Sequence, residues 1–327
     1  MRVLITGVAG FIGSNLAAAL VAEGHRVDGV DNLSQGSLLN LESLRGSPRF
    51  TFTEADVLDE RTLVECARGA DALYHLAAYK IPRYGSASQT LTINLVGCGN
   101  AIRAAQTSGA HLIYASTSDV YGKNPACPFS EDDDLVIGPP QVRRWAYALS
   151  KAVGEQHIFA AAADSPFPFT VVRFFGGYGP GQHLSWWGGP QAVFINNVID
   201  GEPLTLHGTG LQTRSFTYID DHVAALVRIP AVAASRGEVI NLGSDEEVTI
   251  RDLAERIWRL MKPGESPRLT LVPYETFGRY EDVQRRVPNN AKARRLLGVA
   301  PEWSLDRGLP ATIAWQLARR RHVDQRA

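Results

Sequence analysis

Cysteine, methionine and long apolar runs are all scarce in this chain: its 327 residues include three cysteines and two methionines. Cys66, Cys98 and Cys127 lie far apart and follow no metal-ligand spacing. Neither a disulfide framework nor a metal site is expected, and the thiols read as reduced packing residues. No window approaches the roughly 18 consecutive apolar residues of a membrane span. The first residues already form a strand pattern, with no secretory leader before it. Excess charge of one sign is missing too: 33 Lys and Arg oppose 34 Asp and Glu, for a net charge of −1. That balance leaves no footprint for nucleic acid or an anionic membrane. The basic cluster Arg319-Arg320-Arg321 with Arg326 reads as a solvated or frayed helix end. The expectation is a soluble cytoplasmic protein of one large unit or two closely joined ones.

What the chain has is glycine at telling positions. Gly7, Gly10 and Gly13 follow the apolar strand pattern Arg2-Val3-Leu4-Ile5-Thr6 and open a helical pattern over 11–22. A strand, a glycine turn and a helix start make a seat for a pyrophosphate. Gly7 permits the tight turn, Gly10 lets the backbone approach the phosphates, and Gly13 lets helix and strand pack closely. The next strand pattern, 26–30, ends in Asp31. A carboxylate there accepts from the adenosine ribose hydroxyls and repels a 2′-phosphate, which favours NAD over NADP. Its structural alternative is a solvated strand-end acid.

Strand and helix patterns then alternate. Strands are expected over 50–53, 72–76, 111–115 and 169–173, with helices near 60–68, 88–108 and 147–163. Apolar strands in repeated βα units imply an α/β fold with a doubly wound parallel sheet covered on both faces. Chemistry then lies beyond the carboxyl ends of the strands. After Arg173 the texture changes to glycine-rich and tryptophan-bearing loops, followed by a helix near 191–200, a strand–turn stretch over 204–210 and a helix over 250–261. These read as a smaller C-terminal α/β lid for a substrate. The expected division is 1–175 for the dinucleotide unit, with 215–243 returning to it, and 176–214 plus 244–327 for the substrate unit.

Tyr147 and Lys151 stand four residues apart on a predicted helix, hence on one face. A positive charge near a phenol favours phenolate, so Lys151 is expected to lower the Tyr147 pKa toward the range of a general base. Such a base removes a proton from a sugar or alcohol hydroxyl while hydride leaves for NAD. Directly after the 111–115 strand come Ser116, Thr117, Ser118 and Asp119. Hydroxyls there can bond the same substrate oxygen, and Asp119 adds a second possible acid or base, or else caps a loop.

These residues together resemble the extended short-chain dehydrogenase/reductases of the NAD-dependent epimerase/dehydratase family, which modify nucleotide sugars. The resemblance covers nearly all of the chain. It is carried by the 7–13 turn with Phe11-Ile12, Asp31-Asn32-Leu33, Asp56-Val57, His75-Leu76-Ala77-Ala78, Asn94, the 117–122 stretch, Tyr147 with Lys151, Tyr178-Gly179-Pro180 and Gln212-Thr213-Arg214-Ser215-Phe216. It implies a Rossmann sheet, a homodimer and NAD held by Gly7, Gly10, Phe11, Ile12, Gly13, Asp31, Asn32, Leu76, Ala77 and Ala78. Asp56 and Val57 would contact the adenine, and Lys80 would reach the cofactor or its diphosphate. Tyr147 would be the base, Thr117 the hydroxyl partner and Lys151 the holder of the nicotinamide ribose, with Ser118 and Asp119 beside them. Substrate, a nucleotide sugar with UDP favoured, would meet Arg83, Thr117, Gly176, Arg214, Arg279 and Arg286.

A 4-keto sugar formed in this way can take back hydride on its other face, lose water, or lose carbon dioxide from a C5 carboxylate. Thr117-Ser118-Asp119-Val120-Tyr121-Gly122 is similar to the Thr-Ser-Glu-Val-Tyr-Gly of UDP-glucuronate decarboxylases, with Asp for Glu, and Arg285-Arg286-Val287-Pro288-Asn289 to their Arg-Arg-x-Pro-Asp. Decarboxylation is favoured narrowly. Epimerisation at C4 stands close behind, and dehydration is disfavoured by Ser118. Gly176 replaces an expected Asn, removing a side-chain donor, and Trp186-Trp187 form either lid core or a sugar-facing platform. A non-catalytic NAD sensor and a dehydrogenase that releases NADH are the readings from other classes.

Overall fold

The structure is a computed structural model that describes residues 1–80 and 85–324. The first half alternates β1 (Arg2–Thr6), α1 (Phe11–Ala22), β2 (Arg26–Asp31), β3 (Phe50–Glu54), α2 (Glu60–Ala67), β4 (Ala72–His75), α3 (Ala87–Ser108), β5 (His111–Thr117), α4 (Trp145–Asp164) and β6 (Phe169–Phe174). The second half runs β7 (Gly177–Tyr178), α5 (Pro190–Asp200), β8 (Leu204–His207), β9 (Thr213–Ser215), β10 (Thr217–Tyr218), α6 (Ile219–Arg228), β11 (Glu238–Leu242), β12 (Glu247–Thr249) and α7 (Ile250–Met261). It closes with β13 (Leu269–Val272), β14 (Arg285–Arg286), α8 (Ala291–Leu297) and α9 (Leu305–Asp324).

Seven parallel strands form the central sheet in the order β3-β2-β1-β4-β5-β6-β11. Their continuous apolar character follows from burial on both faces: Val3, Leu4 and Ile5 are wholly covered, as are Leu112, Ile113 and Tyr114. The order reverses between β1 and β4, so the strand ends part there and leave a crevice. Glycine sets the close packing at its floor. A Cβ on Gly13 would stand 2.2 Å from the Gly7 carbonyl oxygen, a distance no side chain tolerates, which is why α1 can lie against β1.

A second apolar core gathers Phe194 and Ile195 of α5, Leu206 of β8, Leu253 and Ile257 of α7, and Leu305 and Leu309 of α9. Helix α7 shows why it forms. Ile250, Leu253, Ala254, Ile257 and Trp258 recur on one face and are buried, and the Thr249 side chain accepts from the Asp252 N–H at its start. Helices α8 and α9 and a short 3-10 segment at Leu38–Leu44 are additions to the sequence reading. Gly308 and Pro310 inside α9 weaken its helical pattern, and the proline forgoes one helix hydrogen bond.

The arginines near its end are not simply solvated, as the sequence suggests. Arg319 donates to Ser37 Oγ at 3.2 Å and Asn40 Oδ1 at 3.4 Å, and Arg320 pairs with Asp200 at 2.9 Å. Among the described residues no helix is long and apolar enough to cross a membrane.

Beneath the crevice a buried ion pair ties three elements together. Arg173 on β6 meets Glu155 on α4 through a fork, Nε to Oε1 at 3.0 Å and Nη2 to Oε2 at 2.6 Å, and Glu155 also accepts from Ser116 Oγ on β5. Arg173 Nη1 donates to the Glu131 carbonyl at 3.0 Å, and the guanidinium lies 4.8 Å over the Tyr121 ring. Removing one partner leaves an uncompensated buried charge. Glu155→Ala should therefore cost about 3–5 kcal/mol in urea unfolding. Glu155→Met with Arg173→Met should recover most of it, and equal losses in the single and double variants would contradict the coupling.

Candidate active site

A cavity of about 460 Å³ opens over the carboxyl ends of β4, β5 and β6. The glycine turn borders it through Phe11 and Ile12. Gly7 holds φ +73°, and its N–H donates to the Val30 carbonyl at 2.8 Å. A Cβ there would meet Ala77 N at 2.7 Å, so the chain leaving β4 passes directly over the turn. Gly10 starts α1 with no side-chain cap and no acid in the first turn, and Phe11 and Ile12 line the cavity. Backbone N–H groups at such a start favour a phosphate.

Asp31 ends β2 buried, its carboxylate accepting from Ala9 N at 3.0 Å and Leu33 N at 2.8 Å. Burial pushes its pKa up and the two N–H groups pull it back. Each oxygen keeps lone pairs for further donors. Asn32 donates to Asp56 Oδ2 at 2.8 Å, and Asp56 Oδ1 accepts from Leu58 N at 2.9 Å. Val57 is buried, with its carbonyl bonded by Asn100 at 2.8 Å. Leu76, Ala78 and Lys80 line the cavity, whereas Ala77 borders Gly7 and donates its N–H to Thr6 Oγ1 at 3.3 Å. The uncapped helix start, the side-chain-free turn and the strand-end carboxylate together fit a dinucleotide.

The opposite wall carries the hydroxyls and the phenol. Strand β5 delivers Thr117, whose Oγ1 accepts from Asp119 N at 3.2 Å and whose hydroxyl hydrogen-bonds the Tyr147 phenol. Ser118 is buried and faces the same space. Asn94 on α3 steadies α4 by donating to Ser150 Oγ at 2.9 Å while it spans the Tyr79 backbone.

Lys151 is 1% exposed and donates to the Ala115 carbonyl at 2.7 Å, with its ammonium 4.6 Å over the Tyr114 ring. The expected lowering of Tyr147 by Lys151 is not what the geometry produces. Burial and the Asp119 charge push the phenol well above its ordinary value, and the opposing help comes from Thr117 and Arg286. The lysine instead spends its bond on β5.

At Asp119 the balance of burial and charge runs the other way. Burial would raise its pKa, but Arg286, Arg144 and Arg214 outweigh that and hold it below the usual carboxylate value. Arg286 Nη1 donates to its Oδ1, as does Arg144 Nη2 at 3.2 Å. Its Oδ1 is thus the meeting point of two guanidinium groups. Arg214 and Arg286 meet because β9 and β14 pair in parallel with those residues opposite one another. Asp282 accepts from Arg144 Nη1 at 2.8 Å, Arg214 Nη2 at 3.0 Å and Tyr274 OH at 2.7 Å. Despite its burial, those arginines hold it at about 2.

Three guanidinium groups against two carboxylates leave this wall positive. Arg144 and Asp282 escaped the sequence reading. Arg144 stands three residues before Tyr147, a spacing that puts both on one helix face; Asp282 gave no local signal.

Gly176 lines the cavity at φ +25°, where a Cβ would lie 2.3 Å from the Ser215 carbonyl, so the backbone imposes the glycine. Trp186 lines the cavity and stacks on His207 at 4.7 Å, while Trp187 packs edge-on to Tyr79 at 5.1 Å. Arg279 is exposed and outside the cavity wall, and Arg83 lies outside the described residues.

Lys151 carries a linkage consequence. Burial lowers it from 10.5 to about 8. Below about pH 8 both folded and unfolded chains hold this proton, and the buried charge costs stability. Between about 8 and 10.5 the folded state releases it first. The unfolded state then binds more protons, and stability rises with pH. In the protein without dinucleotide, stability relative to Lys151→Met should climb by about 3 kcal/mol across that window. Urea unfolding at several pH values measures it; a constant difference would reject the shift.

The model of the family described as "NAD dependent epimerase/dehydratase family" matches residues 3–243. The UDP-N-acetyl-alpha-D-glucosaminuronate decarboxylase of Bacillus cytotoxicus is 35% identical, with 96% of this chain and 97% of that protein covered. UDP-glucuronic acid decarboxylase 1 of Danio rerio is also 35% identical, over 96% of this chain and 72% of that protein. Among solved structures, UDP-glucuronic acid 4-epimerase from Bacillus cereus, in complex with UDP-glucuronic acid and NAD, superposes with a TM-score of 0.85 at 29% identity, covering 98% of this chain and 100% of that one. The chain belongs to the NAD dependent epimerase/dehydratase family.

Proposed function

We propose that this protein is an NAD-dependent nucleotide-sugar enzyme that decarboxylates a UDP-hexuronate through a transient 4-keto sugar, with the cofactor regenerated in place. The observation that carries the reading is the convergence of Arg144 and Arg286 on Asp119 beside Tyr147 and Thr117. A neutral hexose needs no such cluster. A hexuronate brings a C5 carboxylate, and a nucleotide brings a diphosphate for Arg214 and Lys80.

When bound, NAD accepts hydride from the sugar and later returns it. The chain's own residues do the rest. Tyr147 takes the proton of the C4 hydroxyl, with Thr117 bonding the same oxygen and Arg286 offsetting the negative phenolate. Lys151, bonded to the Ala115 carbonyl of β5, would hold the nicotinamide ribose. The ketone at C4 makes the carboxylate a β-keto acid, whose electron pair flows to the C4 oxygen as carbon dioxide leaves. Full neutralisation by arginine would hold that pair back. Asp119 shares the guanidinium charge, so the carboxylate is seated without being quenched. A proton from solvent takes the place of the lost carboxylate at C5 as the C4 carbonyl re-forms, and Tyr147 returns its own proton to the C4 oxygen when hydride comes back to C4.

A UDP-hexuronate 4-epimerase is the second reading, since the same arginines would seat a carboxylate that is retained; the solved relative from Bacillus cereus carries that name. We further propose a homodimer through α3 and α4, where Val96, Leu149, Val153 and Phe159 lie exposed. The three cysteines are free thiols, the state a reducing cytoplasm maintains, and we place the reaction there.

Purified protein incubated with UDP-glucuronate, UDP-glucose and UDP-N-acetylglucosamine should convert only the uronate, with loss of the mass of carbon dioxide. An unchanged mass with a new C4 resonance would establish the epimerase instead, and steady NADH release would overturn regeneration in place. Tyr147→Phe should lower kcat by about 10²–10⁴-fold, the range for a lost general base; retained turnover would reject the assignment of the base.

A further inference from the structure

One buried polar side chain in the cavity wall has no well-aligned hydrogen-bond partner. His222 stands on α6, 1% exposed, and lines the cavity with Phe11, Phe174 and Gly177. Neither its Nδ1 nor its Nε2 has a hydrogen-bond partner at regular geometry among the described residues; the Phe175 backbone is near but too poorly aligned for a full bond. The Phe174 ring meets it edge-on at 5.0 Å, and its Cδ2–Nε2 edge faces Gly177, where a Cβ would lie 3.4 Å from both atoms. Burial lowers its pKa to about 4 against the raising effect of the loose Phe175 backbone hydrogen bond, so the ring is neutral at physiological pH. Buried imidazoles without partners are costly and call for an explanation.

We propose that His222 is the hydrogen-bond partner of the nicotinamide carboxamide of bound NAD. The inference rests on the NAD reading above, and the path of the dinucleotide supports it. Asp31 marks the adenosine ribose and the start of α1 marks the pyrophosphate. Hydride chemistry requires the nicotinamide beside Thr117 and Tyr147. Next to Phe11 at the α1 start, the cavity wall includes Phe174, Gly176, Gly177 and His222.

A carboxamide offers both a donor and an acceptor, so it satisfies either tautomer of a neutral imidazole. The absence of charge matters as well, because an imidazolium would repel the positive oxidised ring. The bond would fix rotation of the ring about its glycosidic bond, and so fix which face meets the sugar. An enzyme that must return hydride within one binding event needs that constraint.

Calorimetric titration of protein freed of dinucleotide tests this, using NAD and ADP-ribose, which lacks the nicotinamide. His222→Leu should weaken NAD about tenfold, the upper range for one neutral hydrogen bond, and change ADP-ribose affinity by less than about twofold. Its melting temperature without ligand should be equal or higher, because two nitrogens without a full hydrogen bond are gone. His222→Gln, which can bond a carboxamide, should recover part of the NAD affinity. Equal losses for both ligands, or no loss for either, would overturn the assignment while leaving the NAD reading intact. A wild-type protein that binds neither ligand would overturn both.

Discussion

The buried fork between Arg173 and Glu155 is the constraint on which the catalytic geometry depends. It joins β6 to α4, and through Ser116 it reaches β5. Thr117 follows Ser116 immediately, and Tyr147 and Lys151 lie one to two turns before Glu155 on α4. A shift of α4 along the sheet would separate the phenol from the threonine hydroxyl and break the lysine bond to Ala115. The pair is expensive to desolvate. Its fork geometry, the Glu131 carbonyl and the Tyr121 ring offset that cost by meeting the guanidinium on several sides. This ion pair locates the reacting groups and does not touch them.

Electrostatics in the cavity is divided in a corresponding way. At the dinucleotide end the groups are backbone N–H, a strand-end carboxylate and a neutral imidazole. At the sugar end arginines outnumber carboxylates. Between them stand a phenol held protonated by burial and a lysine whose charge is weakened by it. In the ligand-free protein the phenol is a poor base.

Helix α9 adds a mechanical link between the two ends. Gln316 bonds the Ala192 carbonyl and Asn196 on α5, both at 2.8 Å, while Arg319 on the same helix reaches Ser37 and Asn40. Asn40 in turn donates to the Ala9 carbonyl of the glycine turn at 3.0 Å. Sequence reasoning saw a frayed basic tail here. The reason is that partners some 120 and 280 positions away along the chain leave no local trace in the helix itself.

Local physics was legible in the sequence. Apolar runs bounded by turn residues identify the strands of a doubly wound sheet, Gly7 and Gly13 mark a turn that tolerates no side chain, and Asp31 falls at a strand end because the run before it stops there. The i, i+4 spacing put Tyr147 and Lys151 on one helix face. Charges and hydrogen bonds between distant segments were not legible. Lys151 binds a β5 carbonyl instead of tuning Tyr147, Asp119 is held ionised by arginines from α4 and β14, and Arg286 meets Arg214 only through the register of two short strands. Periodicity and turn chemistry are properties of neighbouring residues, so the sequence by itself determined the sheet, the side-chain-free glycine turn and the placing of Tyr147 and Lys151 on one helix face. A pKa depends on burial and on every charge nearby, whatever its position in the chain, so only the tertiary structure decided which groups are ionised and which of them face the substrate.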